Sequence, residues 1–270
     1  MKPTEWKDII ILIIGFMLSI IAGLIGALIQ RYIDRRGEKR PLNQLLNFGK
    51  DDLLFIFPHR EEITEAILPR TSTEDFLAMN NFISALIKID WNRKISVRDT
   101  RRVSRSDKKR NLVIICSPKS NDLTVEFQDT LKKQAKHFFS FEQSQSGEWY
   151  IFDDDGKYES KSYKQEAKYL NEGIDRRDMP TKSFEDYAVI TNVSNPWNDE
   201  NKVILLAGTR GIGTWAAAEC FKKEWRQIYN QLPENHKEGD FSALLRINYN
   251  NCDITSIEVR RVIVINDKKV

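Results

Sequence analysis

Residues Ile9 to Ile29, IIILIIGFMLSIIAGLIGALI, carry no charge. Twenty-one residues in a helix extend roughly 32 Å at about 1.5 Å each, against about 30 Å for the hydrocarbon core of a bilayer. A cleaved signal peptide has an apolar segment of at most about 15 residues and ends on small side chains. This run is longer, exits through Gln30-Arg31-Tyr32, and is preceded by Lys2 and Lys7 with Glu5 and Asp8 beside them. The expectation is an uncleaved single-pass anchor with its basic flank, residues 1–36. Two basic residues precede the run, whereas Arg31, Arg35, Arg36, Lys39 and Arg40 follow it. That asymmetry puts the bulk of the chain in the cytoplasm and the N-terminus outside a plasma (inner) membrane. Gly15, Ser19, Gly23 and Ala27 recur every fourth residue, a stripe of small side chains of the kind that lets membrane helices pack closely. It predicts homo-oligomerisation through the helix, with membrane lipid as the other partner.

Split at residue 40, the charge is uneven. The first 40 residues hold seven basic and four acidic side chains, which accounts for the whole formal +3, and the rest is balanced. A neutral body is not a general nucleic-acid binder, and no specific nucleic-acid partner is expected. One stretch departs from neutrality: Arg93 to Arg110 has nine basic residues against two acidic ones. It reads either as a solvated loop or as a local anion site. Cys116, Cys220 and Cys252 are odd in number and lack paired spacing, as in a reducing compartment.

The body divides into a polar linker, residues 37–50, and an α/β domain, residues 51–270. LLFIF (Leu53–Phe57), NLVIIC (Asn111–Cys116) and KVILLA (Lys202–Ala207) are continuous apolar runs of strand length, each followed by a loop and a helical pattern. Strands of that kind are buried on both faces, which predicts a Rossmann-like, mostly parallel sheet covered on both sides. Thr71-Ser72-Thr73-Glu74 reads as a capping box for a helix with Phe76, Met79, Ile83, Leu86 and Ile87 on one face. Asp153 to Lys157 contains an Asp-Gly hairpin signal, and the alternation in Phe241–Tyr249 and Ser256–Ile265 predicts further antiparallel strands.

Gly208-Thr209-Arg210-Gly211-Ile212-Gly213-Thr214 stands between a buried strand and a helix, where glycines let a backbone approach phosphate at a helix N-terminus. It resembles the glycine turn of short-chain dehydrogenases. Its first spacing is one residue shorter, however, only about 55 residues follow it, and no Tyr-x-x-x-Lys pair accompanies it. The alternative is a tight connection that needs glycine for geometry alone. Two more loops follow apolar strands: Pro58-His59-Arg60 and Ser117-Pro118-Lys119-Ser120-Asn121. In doubly wound sheets such loops surround the ligand. The candidate ligand contacts are therefore His59, Arg60, Ser117, Lys119, Ser120, Gly208, Thr209, Arg210, Gly211, Gly213 and Thr214. No catalytic residue, cofactor or metal is expected: the three histidines lack metal-ligand spacing, and no Gly-x-Ser-x-Gly elbow or Gly-Lys-Ser/Thr follows.

An anchored Rossmann-like module of this design is similar, at the level of fold, to the Rossmann-like ligand-sensing domains of prokaryotic nucleotide-signalling defence and the membrane effectors joined to them. The resemblance implies a sensor/effector that binds a phosphorylated or nucleotide ligand. Two alternatives stand beside it: a membrane-anchored enzyme acting on a nucleotide or sugar-phosphate, and an interaction protein without a small ligand.

Overall fold

The computed structural model describes residues 20–21, 23–26, 37–59, 72–134, 136–145, 147–160, 168–169, 171–174, 178–179, 183–250 and 253–265. The chain forms two compact units, Met1–Pro41 and Leu42–Val270.

In the first unit, residues 20–21 and 23–26 are helical and exposed, while most of the uncharged run, including Gly15, Ser19 and Ala27, lies outside the described residues. Among the described residues no helix is long and apolar enough to cross a membrane. The expectation of a single-pass anchor is corrected accordingly, and with it the membrane localisation; the small-residue stripe falls almost wholly outside the described residues. Gly23, the one described member of that stripe, has open space around it.

The second unit is α/β. Among the described residues ten strands form, β1 (Leu53–Phe57), β2 (Ile95–Asp99), β3 (Asn111–Ile115), β4 (Ser140–Gln143), β5 (Trp149–Asp153), β6 (Gly156–Tyr158), β7 (Phe184–Ser194), β8 (Lys202–Gly208), β9 (Phe241–Asn250) and β10 (Asp253–Val264). Seven of them build one sheet in the order β10-β9-β7-β8-β3-β1-β2, and β4-β5-β6 form a small second sheet. Within the large sheet, β2, β1, β3 and β8 are parallel neighbours. β7 then pairs antiparallel with β8 and with β9, and β10 with β9. The sheet is therefore half parallel and half meander, with β7 lying between β8 and β9.

The apolar runs explain the layering. Along β1, Leu53, Phe55 and Phe57 face one core and Leu54 and Ile56 the other, and β3 and β8 alternate likewise. Such strands are buried on both sides and cannot sit at a wet surface. On the first face lie Leu42, Leu45 and Leu46 from the end of α1 (residues 37–46), α2 (Thr73–Lys88) and α4 (Gly211–Glu219), the last continued by a π-helical turn (Cys220–Glu224) and α5 (Trp225–Gln231). The second face carries α3 (Asp122–Lys133) through Leu123, Phe127 and Leu131, and the small sheet through Phe141 and Ile151. Phe82 of α2 joins the helices to the sheet, packing edge-on against Phe55 at 5.9 Å and Phe221 at 5.2 Å.

Several local expectations shift. Residues 37–46, expected within a polar linker, are helical, because Leu42, Leu45 and Leu46 are fully buried and lie on one side of the helix. The N-cap of α2 is Ser72 rather than Thr71, its hydroxyl accepting from the Asp75 amide. With that start the buried stripe becomes Ala78, Phe82, Ala85 and Leu86, and Phe76 and Ile87 are left outside at 54% and 68% exposure. The helix expected after the glycine turn begins at Gly211, so the turn supplies its first residues.

Candidate functional site

Parallel neighbours end at the same edge. β1, β2, β3 and β8 release Pro58-His59, Asp99-Thr100, Cys116-Ser117 and Thr209-Arg210 there. β7 runs the opposite way and enters the sheet at that edge, with Ala188 opposite Gly208. Read by position, the parallel strands run in the order second, first, third, fourth. β1 leads into α2 on one face of the sheet and β3 into α3 on the other, so connections diverge between β1 and β3. In open α/β sheets that divergence leaves a crevice at the strands' C-terminal ends.

The β3 end is built with care for its polar groups. Cys116 has φ +86°, a conformation that costs a non-glycine residue about 1–3 kcal/mol. It turns the thiol toward α2, where Sγ donates to Asp75 Oδ1 at 2.7 Å, while the Cys116 carbonyl accepts from the Thr124 hydroxyl at 2.8 Å. Asp75 is fully buried. Asn121, also fully buried, caps α3: Oδ1 accepts from the Leu123 amide at 3.1 Å and from the Thr100 hydroxyl at 2.7 Å, and Nδ2 donates to the Ile115 carbonyl at 2.8 Å. The ends of β2 and β3 are thereby tied together. Between these fixed points Ser117 is buried, and its hydroxyl makes no hydrogen bond among the described residues. Lys119 and Ser120 are exposed, and among the described residues Lys119 has no ion pair.

At the ends of β1 and β2 a second cluster forms. His59 Nδ1 lies 3.7 Å from Asp99 Oδ1, an electrostatic contact somewhat longer than a hydrogen bond. Asp99 is held in turn by the Arg101 amide at 3.0 Å and by Arg102 Nε at 3.1 Å. His59 Nε2 is buried and has no hydrogen-bond partner among the described residues. Arg60 lies outside the described residues.

The glycine turn is taken up by the protein's own groups. A Cβ on Gly208 would meet Gly213 Cα and carbonyl carbon at 2.5 Å, and one on Gly213 would come within 2.6 Å of Asp186 Oδ2. These glycines let strand and helix touch. Gly211 packs beside the Glu74 side chain, where a Cβ would lie 3.2 Å from Glu74 Cγ. The Thr214 hydroxyl accepts from the Gly208 amide at 3.0 Å, the Thr209 hydroxyl donates to Asp186, and Arg210 Nη1 donates to Tyr249 Oη at 2.7 Å. Tyr249 stacks on Phe184 at 5.6 Å.

Asp186 is the unexpected member of this cluster. Its carboxylate is fully buried against the first turn of α4. Burial pushes its pKa up to about 7, although the Thr209 hydroxyl and the amides of Tyr187, Gly213 and Arg210 favour the charged form. Oδ1 accepts from the Tyr187 amide at 2.9 Å, whereas Oδ2, beside Gly213, has no hydrogen-bond partner among the described residues. The position where a helix N-terminus attracts an anion is thus filled by a carboxylate of the chain itself.

The basic run also resolves into particulars. Arg98 and Arg110 flank Asp107 at 3.7 and 3.8 Å, Lys108 pairs with Glu126, and the Asn195 side chain donates to the carbonyls of Lys108 and Arg110. Much of its charge is therefore neutralised locally, which is the solvated-loop reading. Its rim contribution is the turn Thr100–Arg102. Among the described residues no group of histidine, cysteine or acidic side chains could hold a metal ion.

Of the residues singled out from the sequence, His59, Ser117, Lys119, Ser120, Thr209 and Arg210 come to one edge of the sheet, whereas Gly208, Gly211, Gly213 and Thr214 are absorbed in strand-to-helix packing. Sequence reasoning missed Asp75, Asp99, Asn121 and Asp186. Asn121, directly ahead of the α3 pattern, had a readable N-cap signal; the three aspartates gain their surroundings only from distant elements. Compared with the known protein families and with curated proteins, the sequence matches none of the family models and none of the proteins.

Proposed function

We propose that the α/β domain binds a phosphorylated, nucleotide-type small molecule in the crevice between the ends of β1 and β3, and acts as its sensor. The observation that carries this reading is the divergence of connections between two parallel neighbours, flanked by His59 on one side and by Ser117, Lys119 and Ser120 on the other. The unpaired Lys119 supplies positive charge and the two serines supply hydroxyls, the groups an anionic ligand needs. The glycine turn contributes shape rather than anion binding, since Asp186 already occupies the start of α4. A sensor holds its ligand without changing it. Incubating the full chain with ribonucleotides and recovering them by mass spectrometry tests both parts: saturable binding with the ligand returned intact supports the reading, and a changed product at a catalytic rate overturns the sensor role.

A further inference from the structure

His59 Nε2 is a buried ring nitrogen with no hydrogen-bond partner among the described residues. Burying such a group unpaired costs free energy, and a ligand donor that reaches it recovers that cost. The ring's other nitrogen faces Asp99, whose carboxylate is fixed by the Arg101 amide and Arg102. A carboxylate beside Nδ1 keeps the hydrogen of neutral imidazole on that side, so Nε2 presents a lone pair. In that tautomer Nε2 is a hydrogen-bond acceptor. Register fixes where this acceptor stands. Ile56 is opposite Ile114 and Phe57 opposite Asp99. His59 leaves β1 three residues beyond Ile56, just as Ser117 leaves β3 three residues beyond Ile114, and the two strands run about 4.8 Å apart. His59 and the Ser117–Ser120 loop thus flank a single crevice.

We propose that His59, oriented by Asp99, accepts a hydrogen bond from a sugar hydroxyl of the bound ligand, so that the site selects a ribonucleotide over an equally charged molecule without that hydroxyl. This rests on the nucleotide-binding reading above and narrows it. The phosphate is held at Ser117–Ser120, the hydroxyl meets Nε2, and Arg102 neutralises Asp99 so that the dyad does not repel the ligand. Asp99 is a positioning residue, because it touches the ring and not the ligand.

The test titrates the full chain with each of the four ribonucleoside monophosphates, with their 2′,3′-dideoxy counterparts and with inorganic phosphate. The bound ribonucleotide should exceed its dideoxy counterpart in affinity by roughly 3- to 10-fold, the range for one neutral hydrogen bond. His59→Asn can still face Asp99 but places no polar atom at the Nε2 position, and it should erase that difference by lowering ribonucleotide affinity alone. His59→Gln reaches the Nε2 position and should restore part of it. Asp99→Asn should reduce the same difference. Neither His59 variant should alter dideoxynucleotide affinity, a readout that general misfolding would move. Equal affinity of the wild-type chain for the ribonucleotide and its dideoxy counterpart, or an undiminished difference in His59→Asn, overturns the role of His59 and leaves nucleotide binding standing. Binding of none of the nucleotides overturns both.

Discussion

The thiol of Cys116 and the carboxylate of Asp75 meet at 2.7 Å with both residues buried, joining the end of β3 to the first turn of α2. The contact exists because Cys116 takes a left-handed backbone conformation that its side chain does not favour. Its position, at the mouth of the proposed crevice, makes it a support for the β3 loop.

Cys116→Val should be strongly destabilising. It deletes the donor to a buried carboxylate and puts a β-branched side chain at φ +86°, a combination expected to cost about 3 kcal/mol or more. Cys116→Ser keeps a donor and should cost less. Urea unfolding of both variants gives the comparison, and equal losses would mean that the hydrogen bond to Asp75 contributes nothing.

Asp186 makes a prediction about pH. Its pKa is raised from an ordinary 3.8 to about 7, so between those values the folded chain holds a proton that the unfolded chain releases. Its contribution to stability is fully present below the lower value and is lost as pH rises through about 7. The loss is bounded at roughly 4 kcal/mol. Asp186→Asn removes the titration, so the stability of the variant relative to wild type should improve between pH 5 and pH 8. A difference that stays flat across that range would show that Asp186 titrates normally.

Gly208→Ala should destabilise the fold by about 2 kcal/mol or more, because the added methyl meets the backbone of Gly213 at 2.5 Å and neither segment is a flexible side chain. Gly156→Ala, in the β5–β6 turn with nothing within 4 Å, is the control and should stay within about 1 kcal/mol. Thermal melts of the two variants distinguish glycine needed for contact from glycine that is merely present.

Three of the four parallel strands were legible in the sequence, because strands buried on both faces must be apolar without interruption, and LLFIF, NLVII and KVILL are; β2, at the sheet edge and partly exposed, lies inside the basic run and gives no such signal. The rim followed from them, since parallel strands that each lead to a helix deliver their loops to one edge. That β7 runs antiparallel between β8 and β9 was not legible, because strand direction depends on which neighbour a strand finds. The glycine turn was read for its backbone freedom, yet Asp186, the group that fills its anion position, lies more than twenty residues earlier in an unremarkable Glu-Asp-Tyr. The uncharged run at Ile9–Ile29 was read by hydropathy and length alone, a criterion that no described helix meets.

Lys119 distinguishes the two ends of the rim. Lys119→Ala should weaken nucleotide binding by about 1.5–3 kcal/mol, the range for a charge-assisted hydrogen bond. Arg210→Ala should weaken it less, because Arg210 is engaged with Tyr249. Isothermal titration of both variants is the check, and the reverse order would move the anion site to the glycine turn.

The most direct measurement is a crystal structure of the full chain with a bound ribonucleotide. The account predicts phosphate density over Ser117–Ser120 within reach of Lys119, with the sugar toward His59 Nε2 between the ends of β1 and β3. Phosphate density at the first turn of α4 beside Asp186, or at the opposite edge of the sheet, would contradict it.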